Sequence, residues 1–159
     1  MKRVILLGII FLMIAVSLAA CFNNSFTDTD DKLDYETFRA LLEVNRFSID
    51  AEEQHAPGSF LTGQVFVVYI GDETLIVYEY DSHEAMLLES TRVGRTGHSI
   101  SDPNDPFGPV LQITWMSNPY WFKRDYIIVR YVGTDRRIID FLHEALELFA
   151  GTGYRGRTE

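Results

Sequence analysis

Two stretches of the chain share one order of elements, and this order limits the possible folds more than any other feature. In the first stretch, Gln64–Ile70 and Thr74–Tyr80 are rich in Val, Ile, Phe and Tyr, with Gly71-Asp72-Glu73 between them. Two such runs around a short polar turn predict a β-hairpin. Ser82 then provides an N-cap for a helix from about His83 to Arg92.

The second stretch predicts strands over Leu111–Met116 and Tyr126–Val132, with Asn118–Phe122 bridging them. A final helix follows, with Thr134 as its cap and Gly151 as its C-terminal glycine. Its apolar positions recur at helical spacing, namely Ile138, Ile139, Leu142, Ala145, Leu146 and Phe149. This is the clearest amphipathic pattern in the chain.

The segment before the first hairpin predicts a helix over Tyr35–Arg46, capped by Asp34 or Thr37, and a short strand over Phe47–Ile49. Two turn-rich stretches, His55–Gly63 and Gly94–Pro109, predict loops. The whole order, helix–strand–(strand–strand–helix) twice, predicts an α+β fold with an antiparallel sheet of about five strands and helices packed on one face. We expect a single domain over residues 35–151 and a disordered tail over 152–159.

The composition indicates which interactions stabilise the domain and which class of partner it does not bind. Hydrophobic residues make up 47% of the chain, which suits a packed core, and the one cysteine cannot form an intramolecular disulfide. The net charge is −9 for the full chain and about −11 once the basic Lys2 and Arg3 are removed with the leader described next. Such a surface repels phosphate backbones, so nucleic acid is excluded as the expected partner.

The first residues have the pattern of an export signal. Met1-Lys2-Arg3 is followed by an apolar run from Val4 to Ala20, interrupted only by Gly8 and Ser17. A cationic start before a short apolar run is typical of secretory signal peptides. The run is at the lower limit for a membrane-spanning helix, which needs about 17–25 residues.

Leu18-Ala19-Ala20-Cys21 resembles the lipobox of bacterial lipoproteins. The resemblance implies cleavage between Ala20 and Cys21, diacylglycerol on the Cys21 sulfur, and a further acyl chain such as palmitate on the new amino terminus. Two acyl chains hold a protein firmly on a membrane, whereas one is marginal. Phe22 stands where the inner-membrane retention signal has Asp. The alternatives are an uncleaved membrane anchor and an ordinary secretory signal cut after Ala20.

Residues 21–34 are predicted to comprise the lipidated Cys21 and a flexible acidic spacer between membrane and domain. Its aspartates are Asp28, Asp30, Asp31 and Asp34. A calcium loop is the alternative for these aspartates, but the glycine and terminal glutamate of an EF-hand loop are missing.

Motifs spread from about Phe38 to Gly151 suggest a relationship to known proteins. They are Val77-Tyr78-Glu79-Tyr80 with Ser82 and Ala85, Trp115 with Asn118-Pro119-Tyr120-Trp121-Phe122, Ile127-Ile128-Val129 with Tyr131-Val132-Gly133, and Leu142 with Phe149-Ala150-Gly151. Together they resemble a family of small bacterial lipoproteins of uncharacterised function. Members of that family often have Pro-His where this chain has Pro119-Tyr120, which argues against an essential histidine there. The resemblance implies location and architecture only.

No local motif indicates catalysis or a metal. The four histidines, His55, His83, His98 and His143, lack the spacing of a zinc site on one helix. The serines lack the Gly-x-Ser-x-Gly elbow of hydrolases. Asp102 and Asp105 are a carboxylate pair of the kind used in glycoside hydrolysis, but they alternate with turn-forming residues, and a turn is the simpler interpretation. We therefore expect no metal and no cofactor.

Four large aromatic residues, Trp115, Tyr120, Trp121 and Phe122, surround Pro119. Aromatic clusters of this kind form binding surfaces for sugars, peptides or partner proteins. They also fill the cores of small domains, and both alternatives stay open at this point.

Together, these patterns predict a lipid-anchored protein on the extracytoplasmic side of the cell membrane, attached through Cys21 and acting as a binding or accessory module of the envelope. Its ligand would be a protein or a cell-wall component. The alternative is an envelope hydrolase that uses acidic residues.

Overall fold

The computed structural model describes residues 32–54, 59–102, 104–105 and 107–155. Over these residues it contains three helices, α1 (Tyr35–Val44), α2 (His83–Ser90) and α3 (Arg136–Ala145). The strands are β1 (Ala51–Gln54), β2 (Gln64–Ile70), β3 (Glu73–Glu79), β4 (Ser99–Ile100), β5 (Leu111–Gln112), β6 (Pro119–Arg124), β7 (Ile127–Val132) and β8 (Glu147–Gly151). The lipobox, the predicted spacer up to Asp31, His55 and residues 156–159 lie outside the described residues.

Six of the strands form one sheet in the order β1-β2-β3-β7-β6-β8, and every neighbouring pair is antiparallel. β4 and β5 form a separate two-stranded sheet. The predicted α+β fold with an antiparallel sheet is therefore confirmed, with six strands where about five were expected. The predicted hairpin is also present, since Ile70 pairs with Glu73 across a two-residue turn.

Both faces of the large sheet are covered, which differs from the expectation that helices pack on one face. Helices α1 and α3 contribute to a core cluster that includes Leu75 and Val77 of β3. Helix α2 contributes Met86 to a second cluster that includes Tyr78 of the same strand. Alternate residues of a strand point to opposite faces, so the consecutive apolar residues at the centre of β3 need cover on both sides.

The helix starts follow from capping side chains. Asp34 caps α1, accepting a hydrogen bond from the Thr37 backbone N–H at 2.8 Å, and Ser82 caps α2 as predicted, accepting from the Ala85 N–H. Helix α3 begins one residue later than predicted, because Asp135 and not Thr134 is its N-cap. The Asp135 carboxylate satisfies backbone N–H groups of the first turn that have no partner within the helix.

The predicted end of the last helix is wrong. Helix α3 ends at Ala145, and Glu147–Gly151 forms edge strand β8 against β6. Gly151 is therefore not a helix cap. The apolar residues 146–149 fit a strand as well as a helix, and the open edge of β6 decides between the two by offering hydrogen-bond partners.

Other segments also differ from their predicted structure. Asn118–Phe122 was predicted as a bridge, but its residues from Pro119 onward form β6. Of the predicted strand 111–116, only Leu111–Gln112 forms a strand. Phe47–Ile49 precedes a strand instead of forming one, since β1 begins at Ala51. The start of the predicted tail is bonded to the sheet, because the Thr152 N–H donates to the Pro119 carbonyl oxygen at 2.8 Å.

Candidate functional site

The four aromatic residues singled out in the sequence do not lie together on the surface. Tyr120 and Phe122 point from β6 into the core under α1 and α3, and Trp121 points into the opposite cluster. Their exposed fractions are 8%, 0% and 0%, so burial favours the core alternative for these three. Trp115 alone is half-buried. A binding surface made of all four side chains does not exist in this fold, since successive strand residues face opposite sides.

The remaining sequence candidates are dispersed. Ala20 and Cys21 lie outside the described residues. His83, His98 and His143 are exposed, and within the described ranges no group of three or more His, Cys, Asp or Glu side chains is placed to hold a metal ion. Asp102 and Asp105 accept hydrogen bonds from the backbone N–H groups of Asn104, at 2.9 Å, and Phe107, at 3.3 Å, which is turn chemistry.

A different residue, Arg130, has the most unusual surroundings. It lies in β7 between Val129 and Tyr131, which face α1 and α3, so its side chain points to the other face of the sheet. Its Cζ atom is 5.0 Å from the ring centre of Phe60, 5.1 Å from that of Trp115 and 5.6 Å from that of Trp121. We call these four residues the Arg130 site.

The rings of the Arg130 site are held by specific contacts. Both indole N–H groups donate to the Gly97 carbonyl oxygen, at 2.8 Å from Trp115 and 3.3 Å from Trp121. Trp115 also packs edge-on against Phe60 with ring centres 5.6 Å apart. Gly97 has a φ of +73°, and a Cβ there would be 3.0 Å from Trp121 Cδ1, so the carbonyl can approach both indoles only because this residue is glycine.

Arg130 has no counter-ion among the residues that the structure describes. Its Nη1 is buried without a hydrogen-bond partner, and none of the ion pairs among the described residues involves it. Burial lowers the pKa of Arg130 from its ordinary value, while the nearby Tyr78 hydroxyl acts in the opposite direction. Each cation–π contact stabilises the guanidinium by about 0.5–2 kcal/mol, which is less than the solvation free energy that it loses on burial. An anion bound to Arg130 would therefore stabilise it further.

Away from the Arg130 site, a cleft with a volume of about 490 Å³ lies between α2 and the end of α3. It is lined by residues of both charges, including His83, Lys123, Glu144 and Glu147. Both glutamates are exposed. A glycosidase acid needs a pKa raised by an apolar environment, so this cleft gives the hydrolase alternative no support.

Sequence reasoning missed Arg130 and Phe60. The sequence did contain a signal for Arg130, because it is the single charged residue in the otherwise apolar run Ile127–Val132. When both faces of a sheet are covered, every position of such a strand faces a packed layer, and a charge there is unusual. Trp115 and Trp121 were identified correctly as unusual, but their role depends on the strand β7 that lies opposite them.

Comparisons with known proteins identify no relative of this chain: no family model, no curated protein and no solved structure matches it. The resemblance to small bacterial lipoproteins therefore remains a prediction from the motifs themselves. Among the described helices, none has both the length and the apolar composition of a membrane span.

Proposed function

We propose that the protein is a lipid-anchored module on the extracytoplasmic side of the cell membrane, with a binding or accessory role in the envelope and a place among the small bacterial lipoproteins. One observation carries the proposal: a basic start, an apolar run and Leu18-Ala19-Ala20-Cys21 follow one another in the order of a lipoprotein leader. The acyl chains on Cys21 hold the protein at the membrane.

The charge of the chain supports a covalent anchor. Without Lys2 and Arg3 the net charge is about −11, which opposes electrostatic adsorption to anionic lipid. A domain with that charge needs acyl chains to stay at the membrane. The single cysteine stands at the lipobox position and has no other cysteine to pair with.

The Arg130 site favours binding over catalysis. A cation held among three rings, with no described acid beside it, provides an apolar and electropositive contact but no nucleophile or general base. This arrangement is suited to recognising a ligand.

Mass spectrometry of the protein from washed membranes tests the anchor. We expect an amino terminus at Cys21 with diacylglycerol on its sulfur, and an unmodified full-length precursor from a Cys21→Ser variant. A Ser25→Ala variant is the matched control and keeps the lipid.

Two other outcomes would identify the alternatives to a lipid anchor. An unmodified chain that begins at Met1 in membranes means an uncleaved anchor, and an unlipidated chain that begins at Cys21 and is released into the medium means an ordinary secretory signal. Either result contradicts the proposal.

A further inference from the structure

The face of the sheet that carries the Arg130 site has a second cation. Trp121 pairs directly with Arg130 across β6 and β7, and Lys123 follows two positions later on β6, on the same face. Lys123 Nζ is 5.3 Å from the Phe149 ring centre and 3.5 Å from Ser90 Oγ. Neither cation takes part in an ion pair within the described residues.

A cation without a nearby carboxylate is unexpected in an acidic protein, and among the described residues this applies to Arg130, since Lys123 pairs with Glu147 in the register of β6 and β8. The chain contains 23 Asp and Glu residues against 14 Lys and Arg, yet in the described part of the chain Arg130 contacts rings and not carboxylates. The Tyr78 hydroxyl lies near Arg130, but burial raises its pKa, so it stays protonated and does not neutralise the guanidinium. An uncompensated buried charge is costly, and an anionic ligand would remove that cost.

We propose that the Arg130 site binds the carboxylate group of a ligand, with the guanidinium as donor and the rings of Phe60 and Trp115 as its walls. The inference names the ligand class for the binding function proposed above, on which it rests. Nη1 itself is buried, but Arg130 as a residue is only half-buried, so a ligand would contact the part of the side chain that solvent reaches.

A carboxylate suits the site better than a multiply charged anion. The planar guanidinium matches a carboxylate through two parallel N–H···O bonds. Arg130 supplies one positive charge, and Lys123 Nζ is directed at Ser90 and Phe149, so a monoanion balances the site. The aromatic walls favour an apolar body next to the carboxylate.

The chain has a built-in reporter for binding. It contains two tryptophans, and both belong to the Arg130 site. Tryptophan fluorescence of the full-length chain in detergent therefore reports on this site alone.

Two matched pairs of probes separate the sources of the carboxylate: N-acetyl-alanyl-alanine against its C-terminal amide, and galacturonate against galactose. We expect a saturable fluorescence change with the carboxylate member of at least one pair. The neutral member should bind about tenfold more weakly or not at all, since a charged hydrogen bond is lost. The responding pair identifies a peptide terminus or an acidic sugar as the source.

Variants locate the response. Arg130→Gln should abolish it, and Arg136→Gln, which removes an exposed arginine at the start of α3, should leave it unchanged. If Arg130→Gln does not fold, the Arg130 Nε–H resonance of the wild-type chain serves instead, because it should shift with the carboxylate and not with its neutral partner.

Three results would overturn the inference: no saturable response to either carboxylate, equal responses to charged and neutral partners, or tighter binding of inorganic phosphate. Arg130 would then be a structural cation, or a site for another anion. A failure of the carboxylate experiment does not affect the proposal that Cys21 is lipidated. Conversely, if the protein binds a carboxylate but Cys21 carries no lipid, only the proposed membrane location is wrong.

Discussion

Neighbouring residues of β6 serve different parts of the molecule. Phe122 is fully buried in the cluster beneath α1 and α3, while Trp121, one position earlier, is fully buried in the other cluster and contacts Arg130. The backbone alone separates them, since side chains alternate along a strand. Phe122 therefore contributes to the packing of α1 and α3 on the sheet, and Trp121 contributes to the Arg130 site.

Gly151 offers a test at the level of one residue. Its φ is +102°, and a Cβ there would clash with the Pro119 carbonyl oxygen on the adjacent strand. We expect Gly151→Ala to lower the free energy of unfolding by about 2–4 kcal/mol, the sum of backbone strain and steric overlap. Urea unfolding measures this loss.

Gly153→Ala is the matched control. Gly153 also has a positive φ, +83°, but nothing lies within 4 Å of the added Cβ. We expect it to lose about 1 kcal/mol from strain alone. Equal losses in the two variants would show that the contact between β8 and β6 does not depend on this glycine.

Elements differ in how far local sequence determines them. β2 and β3 form where two runs of consecutive apolar residues flank a two-residue turn, and the Ser82 cap begins α2 as predicted. The end of α3 is different, because residues 147–151 complete a strand pairing with β6 that is distant in sequence. A local pattern determines an element only where no remote partner competes for its backbone.

The cap of α3 tests this at the element scale. Asp135→Ala removes the acceptor for the Arg137 and Ile138 N–H groups and should cost about 1 kcal/mol of stability. Thr134→Ala, at the position that the sequence predicted, is the control and should change stability by less than about 0.5 kcal/mol. Thermal unfolding of both variants measures the difference, and a larger effect at Thr134 would restore the original prediction.

At the scale of the whole molecule, the sheet is an apolar layer between two covers, and polar contacts attach the covers to it. Helix α1 is joined to edge strand β1 through Glu52, which accepts from the Tyr35 hydroxyl and from Arg39 Nε, both at 2.6 Å. β1 is otherwise exposed at every position. The polar contacts therefore secure the edge of the sheet where burial contributes little.

This link predicts a pH dependence of stability. Burial acts to raise the pKa of Glu52, but hydrogen bonds from Tyr35 and Arg39 outweigh it, and the net pKa is lowered. A carboxyl with a lower pKa in the folded state stabilises the fold above its unfolded pKa of about 4.3, and the contribution is lost as pH falls through the folded value.

The comparison of wild type with Glu52→Gln measures the contribution. We expect Glu52→Gln to be less stable by about 0.5 kcal/mol at pH 7, a value typical of exposed pairs, and the difference to vanish near pH 3. Glu53→Gln, at the next and exposed position of β1, is the control with no described partner. A difference that grows as pH falls would contradict the assigned direction.

The sequence by itself determined the α+β class, the strands β2, β3 and β7 to within a residue, and the cap Ser82, and it limited the cap of α1 to Asp34 or Thr37. Each of these depends on a local run of apolar residues or on a hydrogen bond a few residues away. It also marked Trp115 and Trp121 as unusual. Only the tertiary structure decided that both faces of the sheet are covered, that 147–151 is a strand, and that Arg130 lies among three rings. Those features depend on which strands become neighbours, and contacts between residues distant in the chain leave no local pattern.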